Sequence, residues 1–207
     1  VSIFAPTPHD VWDRYLEIYG IEGVFPVAET VIGRLSAIAS EEILYPEIAR
    51  AHAIRGAEVF LHSTSEVASP NLTIKQIARR ARALENMAYV VSANNAELRG
   101  ISVPTDSTNG YSDIIDWNGN QVVVAGSGNS SVASASLDLA GLRAHRRRPS
   151  MSNMLSRQAL EMFAESFAKA DLRRRNGLLQ DGKLMIPDRA YFQQRQADAI
   201  ARMVERG

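Results

Sequence analysis

Ile32-Gly33-Arg34-Leu35-Ser36-Ala37-Ile38-Ala39-Ser40-Glu41-Glu42-Ile43-Leu44-Tyr45-Pro46-Glu47 is the stretch that decides the architecture. Leu35, Ala37 and Ala39 alternate with Arg34, Ser36 and Ile38, the two-residue period of a strand, and the small side chains suit close packing. A polar turn at Ser40-Glu41-Glu42 ends that strand. Pro46 then suits the first position of a helix, where its missing N–H costs nothing, and Glu47 is favourable in the first turn. In an α/β sandwich such a strand–turn–helix corner is where a nucleophile is held. The position carries Ser40, and the chain contains no cysteine.

Outward from this corner the pattern continues. Upstream, residues 25–39 read as strand broken by a turn near Ile32-Gly33, and the prolines of residues 5–12 favour an extended or turning path. Downstream, Ile48, Ala49, Ala51, Ala53 and Ile54 give an apolar helix face that Gly56 stops, and residues 57–62 read as a buried strand. Thr73 caps a second helix, in which Ile74, Ile77, Ala78, Ala81, Leu84 and Met87 recur at three- and four-residue steps. Arg79, Arg80 and Arg82 are expected mostly on the opposite, wet side. Residues 88–93 follow as an apolar strand, and the succession strand, helix, strand, helix, strand predicts helices covering a sheet. Residues 113–117 and 121–125 flank Asn118-Gly119, a favoured hairpin turn, and residues 131–137 are expected to add another strand.

Composition bounds the function classes. The 207 residues fit one main core, and 23 basic against 23 acidic residues leave no net charge. No long-range field therefore favours nucleic acid or an anionic membrane as partner. No apolar run approaches the roughly 20 residues that span a bilayer, and no signal segment opens the chain, so a soluble cytoplasmic protein is expected. Without cysteine there is no disulfide, thiolate metal site or thiol nucleophile. His9, His52, His62 and His145 lie too far apart for a zinc motif, so no metal is expected. The sequons at Asn71 and Asn129 carry no weight without a sign of secretion. Beyond about Leu142 a basic run at residues 143–148 and a polar break at 149–153 lead into a tail. The tail is expected to form one helix over residues 155–170 and another after the N-cap Asp188.

Four ordered blocks carry a family resemblance. Gly33, Ser36, Ser40, Glu42, Tyr45, Pro46 and Glu47 form the first, and Ile48-Ala49-Arg50-Ala51 through Arg55-Gly56-Ala57-Glu58-Val59 the second. The third is Arg82-Ala83-Leu84-Glu85-Asn86 with Tyr89-Val90-Val91 and Asn94. The fourth joins Ser112-Asp113-Ile114-Ile115 to residues 133–143, ending in Leu-Asp-Leu-Ala-Gly-Leu-Arg. Together they resemble the carboxy-terminal two-thirds of a nitrilase-superfamily carbon–nitrogen hydrolase, with serine at the position of the nucleophilic cysteine.

That resemblance implies an α/β fold of the α-β-β-α sandwich type, incomplete at the amino end, with residues 1–145 as the hydrolase domain. Residues 146–207 would be a helical tail used in homo-oligomer contacts. The implied reaction is attack of a nucleophile on an amide, nitrile or carbamoyl carbon, giving an acyl-enzyme, with no cofactor. Ser40 takes the nucleophile position and the backbone N–H of Glu41 the oxyanion position. His62, Ser63 and Ser65 follow a strand at the implied pocket rim, and Asn94 lies at the next strand end, so these four are the substrate-binding candidates. For Asn94 a turn-forming role competes. The family's general base and lysine lie upstream of the nucleophile segment, whereas the lysines here are Lys75, Lys169 and Lys183, all downstream. For a supporting second acid the candidates are Asp10, Glu17 and Glu22.

Ser40 has a plainer reading as well, since serine is a common turn and cap former. A hydroxyl is far less acidic than a thiol, which titrates near about 8.5, so serine in a thiolate site should cost most of the rate. Two readings follow: a hydrolase with a natural or engineered serine substitute, or a non-catalytic homologue that binds a small amide-like ligand or scaffolds a partner.

Overall fold

Three parallel strands form the frame that positions the site. In this computed structural model, residues 6–108, 110–128, 130–170 and 172–205 are described; the Asn129 sequon lies outside them. Strand β1 (Ala28–Thr30) turns through Val31 and Ile32 into β2 (Gly33–Ala39), antiparallel to it. Gly33, at φ 120°, occupies a backbone region that L side chains rarely adopt. A Cβ there would also fall 2.7 Å from Leu139 Cδ1. Strand β2 runs into a 3-10 turn over Ser40–Leu44 and helix α2 (Pro46–Ile54), then β3 (Val59–Thr64), helix α3 (Ile74–Asn86) and β4 (Tyr89–Asn94). β2 pairs β3, and β3 pairs β4, all parallel. β5 (Asp113–Ile115) and β6 (Gln121–Val124) complete a six-stranded sheet in sequential order through antiparallel pairings. Helix α1 (Trp12–Tyr19) precedes the sheet; α4 (Leu139–Arg147), α5 (Glu161–Ala170), the hairpin β7 (Leu179–Gln180) and β8 (Lys183–Leu184), and α6 (Arg189–Val204) follow it.

Strand alternation sorts the side chains onto two faces. Ile38, Phe60, Val90 and Ile115 pack with Ala49 and Ala53 of α2 and Ala78 and Ala83 of α3. Each fully buried side chain of this size stabilises the fold by roughly 1.5–3 kcal/mol. On the opposite face Val59, Tyr89 and Ile114 pack with Leu142 of α4 and with Ala135, Leu137 and Leu139. Toward the strand ends that face is open, with Ala37, Ala39, Leu61 and Ala93 exposed. The α/β class and the partial sandwich hold: residues 25–158 carry one six-stranded sheet with helices packed on it.

Three readings are corrected. Residues 131–137 make no ladder; they form no regular element and use Ala135 and Leu137 as packing contacts. The tail helix expected from residue 155 begins at Glu161. Arg79 and Arg82 are not on a wet face: both are buried. Arg82 donates to the carbonyls of Ile43 (3.0 Å) and Leu44 (3.3 Å), tying α3 to the turn after Ser40.

Residues 25–158 form one compact unit. Residues 6–24 and 159–205 form a second, in which buried Asp10 accepts from Thr7 N and Oγ1, both at 2.9 Å, from Arg173 at 3.3 Å, and from Arg195. In that unit Asp188 caps α6 through Tyr191 N, 2.8 Å away. Among the described residues no helix is long and apolar enough to cross a membrane.

Candidate active site

The C-terminal ends of β2, β3 and β4 meet at one edge of the sheet, and each crossover helix begins at that edge, which is where open α/β sheets bind ligands. Ser40 stands at the end of β2 with φ 43°, a left-handed conformation for a residue with a Cβ. Such a backbone costs about 1–3 kcal/mol and persists only where its surroundings impose it. Glu42 contributes from the following turn, its Oε2 accepting from Ala39 N at 2.9 Å.

His62 holds the turn from below. Its Nε2 lies 3.0 Å from the Ser40 carbonyl oxygen and its Nδ1 2.8 Å from Ser92 Oγ. A carbonyl can only accept, so Nε2 carries the proton and Nδ1 accepts from the Ser92 hydroxyl. Arg79 Nη1 in turn donates to Ser92 Oγ at 2.6 Å. With the imidazole neutral, Arg79, Ser92, His62 and Ser40 form one continuous relay. Burial lowers the His62 pKa to about 4, with Arg79 and Lys75 adding to the shift against the Ser40 hydrogen bond.

Lys75, in the first turn of α3, places Nζ 3.0 Å from Ser40 Oγ and 3.2 Å from Thr64 Oγ1. Although downstream in sequence, this lysine meets the Ser40 hydroxyl. The signal was topological: in a strand–helix–strand crossover, the first turn of α3 returns to the edge where β2 and β3 end. Thr73, the α3 N-cap, accepts from Gln76 N at 3.2 Å, and Gln76 Oε1 accepts from Thr73 N at 2.9 Å. The same threonine hydroxyl donates to Glu66 Oε1.

Behind Lys75 lies a buried charge cluster. Arg79 sits 3.8 Å from Glu66 Oε2 and 3.4 Å from Asp113 Oδ1, close enough for ion pairing. Arg79 Nη2 and Asp113 Oδ1 nevertheless have no hydrogen-bond partner among the described residues. Desolvation raises the pKa values of Glu66 and Asp113 despite the guanidinium between them.

The other anticipated residues are dispersed around this centre. Glu41 is exposed at the start of the 3-10 turn. Its N–H falls among the first donors of that turn, which helical bonding leaves over. Ser63 and Ser65 are exposed on alternate positions, and Ser65 Oγ accepts from Asn95 Nδ2 at 3.1 Å. Asn94 is committed to the backbone: Oδ1 accepts from Glu66 N (2.8 Å) and Nδ2 donates to Gly110 O (2.7 Å). Asp10 is held within the second unit, and Glu17 pairs with Arg14 at 2.6 Å. A cleft of about 450 Å³ is lined by Gln76 and Arg80 of α3 and Asp113 of β5, without Ser40 or Lys75. Chemically, the edge offers a hydroxyl on a strained corner, a lysine nitrogen in contact with it, and a neutral imidazole bonded to the corner's carbonyl.

Comparison with known proteins gives concordant matches. A family model described as carbon-nitrogen hydrolase matches residues 2–147. A protein named "Probable nitrilase" from Schizosaccharomyces pombe is 31% identical over 118 residues, covering 56% of this chain and 40% of that protein. A crystal structure of a carbon-nitrogen hydrolase from Helicobacter pylori G27 superposes with a TM-score of 0.58 at 20% identity, covering 69% of this chain and 52% of that one. A variant of the amidase from Nesterenkonia sp. AN1 in complex with butyramide gives 0.50 at 20% identity, covering 68% and 46%. At such identities the two structures speak for the fold alone. The chain spans 40% of the curated relative and about half of the solved ones.

Proposed function

This chain belongs to the carbon–nitrogen hydrolase family, and from that premise we propose that it acts on non-peptide C–N bonds of small amides, nitriles or carbamoyl compounds, with Ser40 as nucleophile. The observation that carries the reading is the left-handed Ser40 at the end of β2, held through its carbonyl by His62. A chain does not adopt that corner for a solvent-exposed turn without cost, and a strained strand-to-helix corner is how several hydrolase folds present a nucleophile. The Glu41 N–H, one residue on, is the donor for the oxyanion. The small-amide substrate class is supported by the butyramide bound to the related amidase. Oxygen in place of sulfur makes the reaction slower than a thiolate would. Residues 1–145 are the hydrolase domain in this reading and residues 146–207 a contact between copies. Exposed Phe163 and Phe167 on α5 and Ile200 and Met203 on α6 are suited to that contact.

The test is ammonia release by the complete protein and by Ser40→Cys against a panel of simple amides, nitriles and carbamoyl compounds. The expected outcome is turnover by the wild type that rises at least tenfold with cysteine. If neither form turns over any compound while both remain folded, the hydrolase reading falls.

A further inference from the structure

Lys75 is the feature of this edge that the family reading leaves unused. Its Nζ meets two hydroxyl oxygens, Ser40 Oγ at 3.0 Å and Thr64 Oγ1 at 3.2 Å. Among the described residues, no carboxylate forms an ion pair with it. A lysine placed for structure would ordinarily seek a carboxylate or stay in water. This one is half-buried, in the first turn of a helix, where the positive end of the helix dipole opposes a cation. The charged and titratable groups around it are His62 on β3, which burial keeps neutral, and Arg79 one turn along α3. Glu66, after β3, is engaged by Thr73 and ion-paired with Arg79, and Asp113 on β5 is engaged by Arg79. Glu42, on the turn after Ser40, is committed to Ala39 N.

Resting on the reading of Ser40 as nucleophile, we infer that Lys75 is its general base, so that this chain carries a serine–lysine dyad assembled within the β2 to α3 segment. In the amine form the Ser40 hydroxyl donates to Nζ. As Oγ bonds to the acyl carbon, its proton passes to Nζ. The resulting ammonium gives that proton to the leaving nitrogen as the C–N bond breaks. A water molecule then attacks the ester, again losing a proton to Nζ. Oγ leaves with that proton, and the product acid and free Ser40 complete the cycle. Thr64 Oγ1 orients the amine and does not enter the proton count.

The test is acylation of the complete protein by p-nitrophenyl acetate, followed by nitrophenolate release and by mass spectrometry of the Ser40 peptide from pH 5 to 10. Wild type, Lys75→Met and Lys75→Arg are compared, with thermal unfolding of each. Arginine keeps the positive charge and the donors but cannot accept the proton. The expected result is acetyl-Ser40 in the wild type, formed faster as pH rises, and a loss of at least 100-fold with both variants. Absence of acetyl-Ser40 in the wild type, a pH-independent rate, or an arginine variant within threefold of the wild type would overturn the dyad. The pH profile decides the matter even if a variant unfolds. Lysine-dependent acylation without amide turnover would leave the dyad standing and remove the proposed substrate class. Amide turnover that is unchanged in Lys75→Arg would do the reverse.

Discussion

The two ends of β2, β3 and β4 solve the same electrostatic problem in opposite ways. At the N-terminal end Glu58 receives Arg143 through two bonds, 2.6 and 2.8 Å, and the Arg34 N–H at 3.0 Å. Arg146 donates there to the carbonyls of Met87, Ala57 and Asn86. With donors satisfied, Arg143 chief among them, the Glu58 carboxyl falls to about 2. At the C-terminal end Arg79 is wholly buried between Glu66 and Asp113 without full hydrogen bonding, and burial raises both carboxyls. One end is built to hold the strands together. The other tolerates dissatisfied charge next to a strained residue, the pattern of sites where stability is given up for chemistry.

The sharpest way to break this contrast is Arg79→Leu. Removing the cation strands two buried carboxylates and withdraws the donor that orients Ser92, so a loss of about 3–5 kcal/mol in denaturant unfolding is expected. A loss below about 1 kcal/mol would mean that the charges at this end are not coupled as the distances imply. Next comes His62, whose folded pKa is depressed to about 4 while the unfolded chain titrates near about 6.5. The unfolded state binds the proton first, so this residue's share of stability is full above about pH 6.5 and is lost as pH falls toward 4. The wild type should therefore lose about 2–3 kcal/mol across that window, and His62→Gln should flatten the slope.

Glu58 should answer in a lower window. Its depressed carboxyl contributes stability above about pH 4.3 that is lost as pH falls toward 2. Because Arg143 is half-exposed, solvent screening reduces the effect, and Glu58→Gln should cost about 1–2 kcal/mol at pH 7 and nothing near pH 2. Unfolding midpoints across pH would show two separate acid transitions, one from each end of the strands. The smallest effect expected is that of Thr73→Ala, which removes the α3 cap and should cost about 1 kcal/mol in thermal unfolding. By loosening the turn that carries Lys75, it should also slow Ser40 acylation while leaving Glu58-dependent stability unchanged.

Local chemistry made most of the frame legible in sequence. Pro46 at the start of α2, the Thr73 cap of α3, Asn118-Gly119 in the β5–β6 hairpin and the Asp188 cap all mark element boundaries. What sequence concealed was partnership at a distance. Arg79 and Arg82 read as solvent-facing because charge is usually wet, yet Glu66, Asp113, Ser92 and the Ile43 and Leu44 carbonyls draw them inward. Residues 131–137 alternate like a strand because they pack on a sheet face, without joining its ladder. Ser40 was legible as a corner residue. Its contact with Lys75 spans 35 positions and follows only from the parallel crossovers.

The grip of His62 on the corner bears on substitution at position 40. It closes on a main-chain oxygen, an atom every residue type possesses, so that hydrogen bond does not depend on what the side chain at position 40 carries. The same bond is therefore open to cysteine in a Ser40→Cys variant, whose carbonyl oxygen would stand where serine's does.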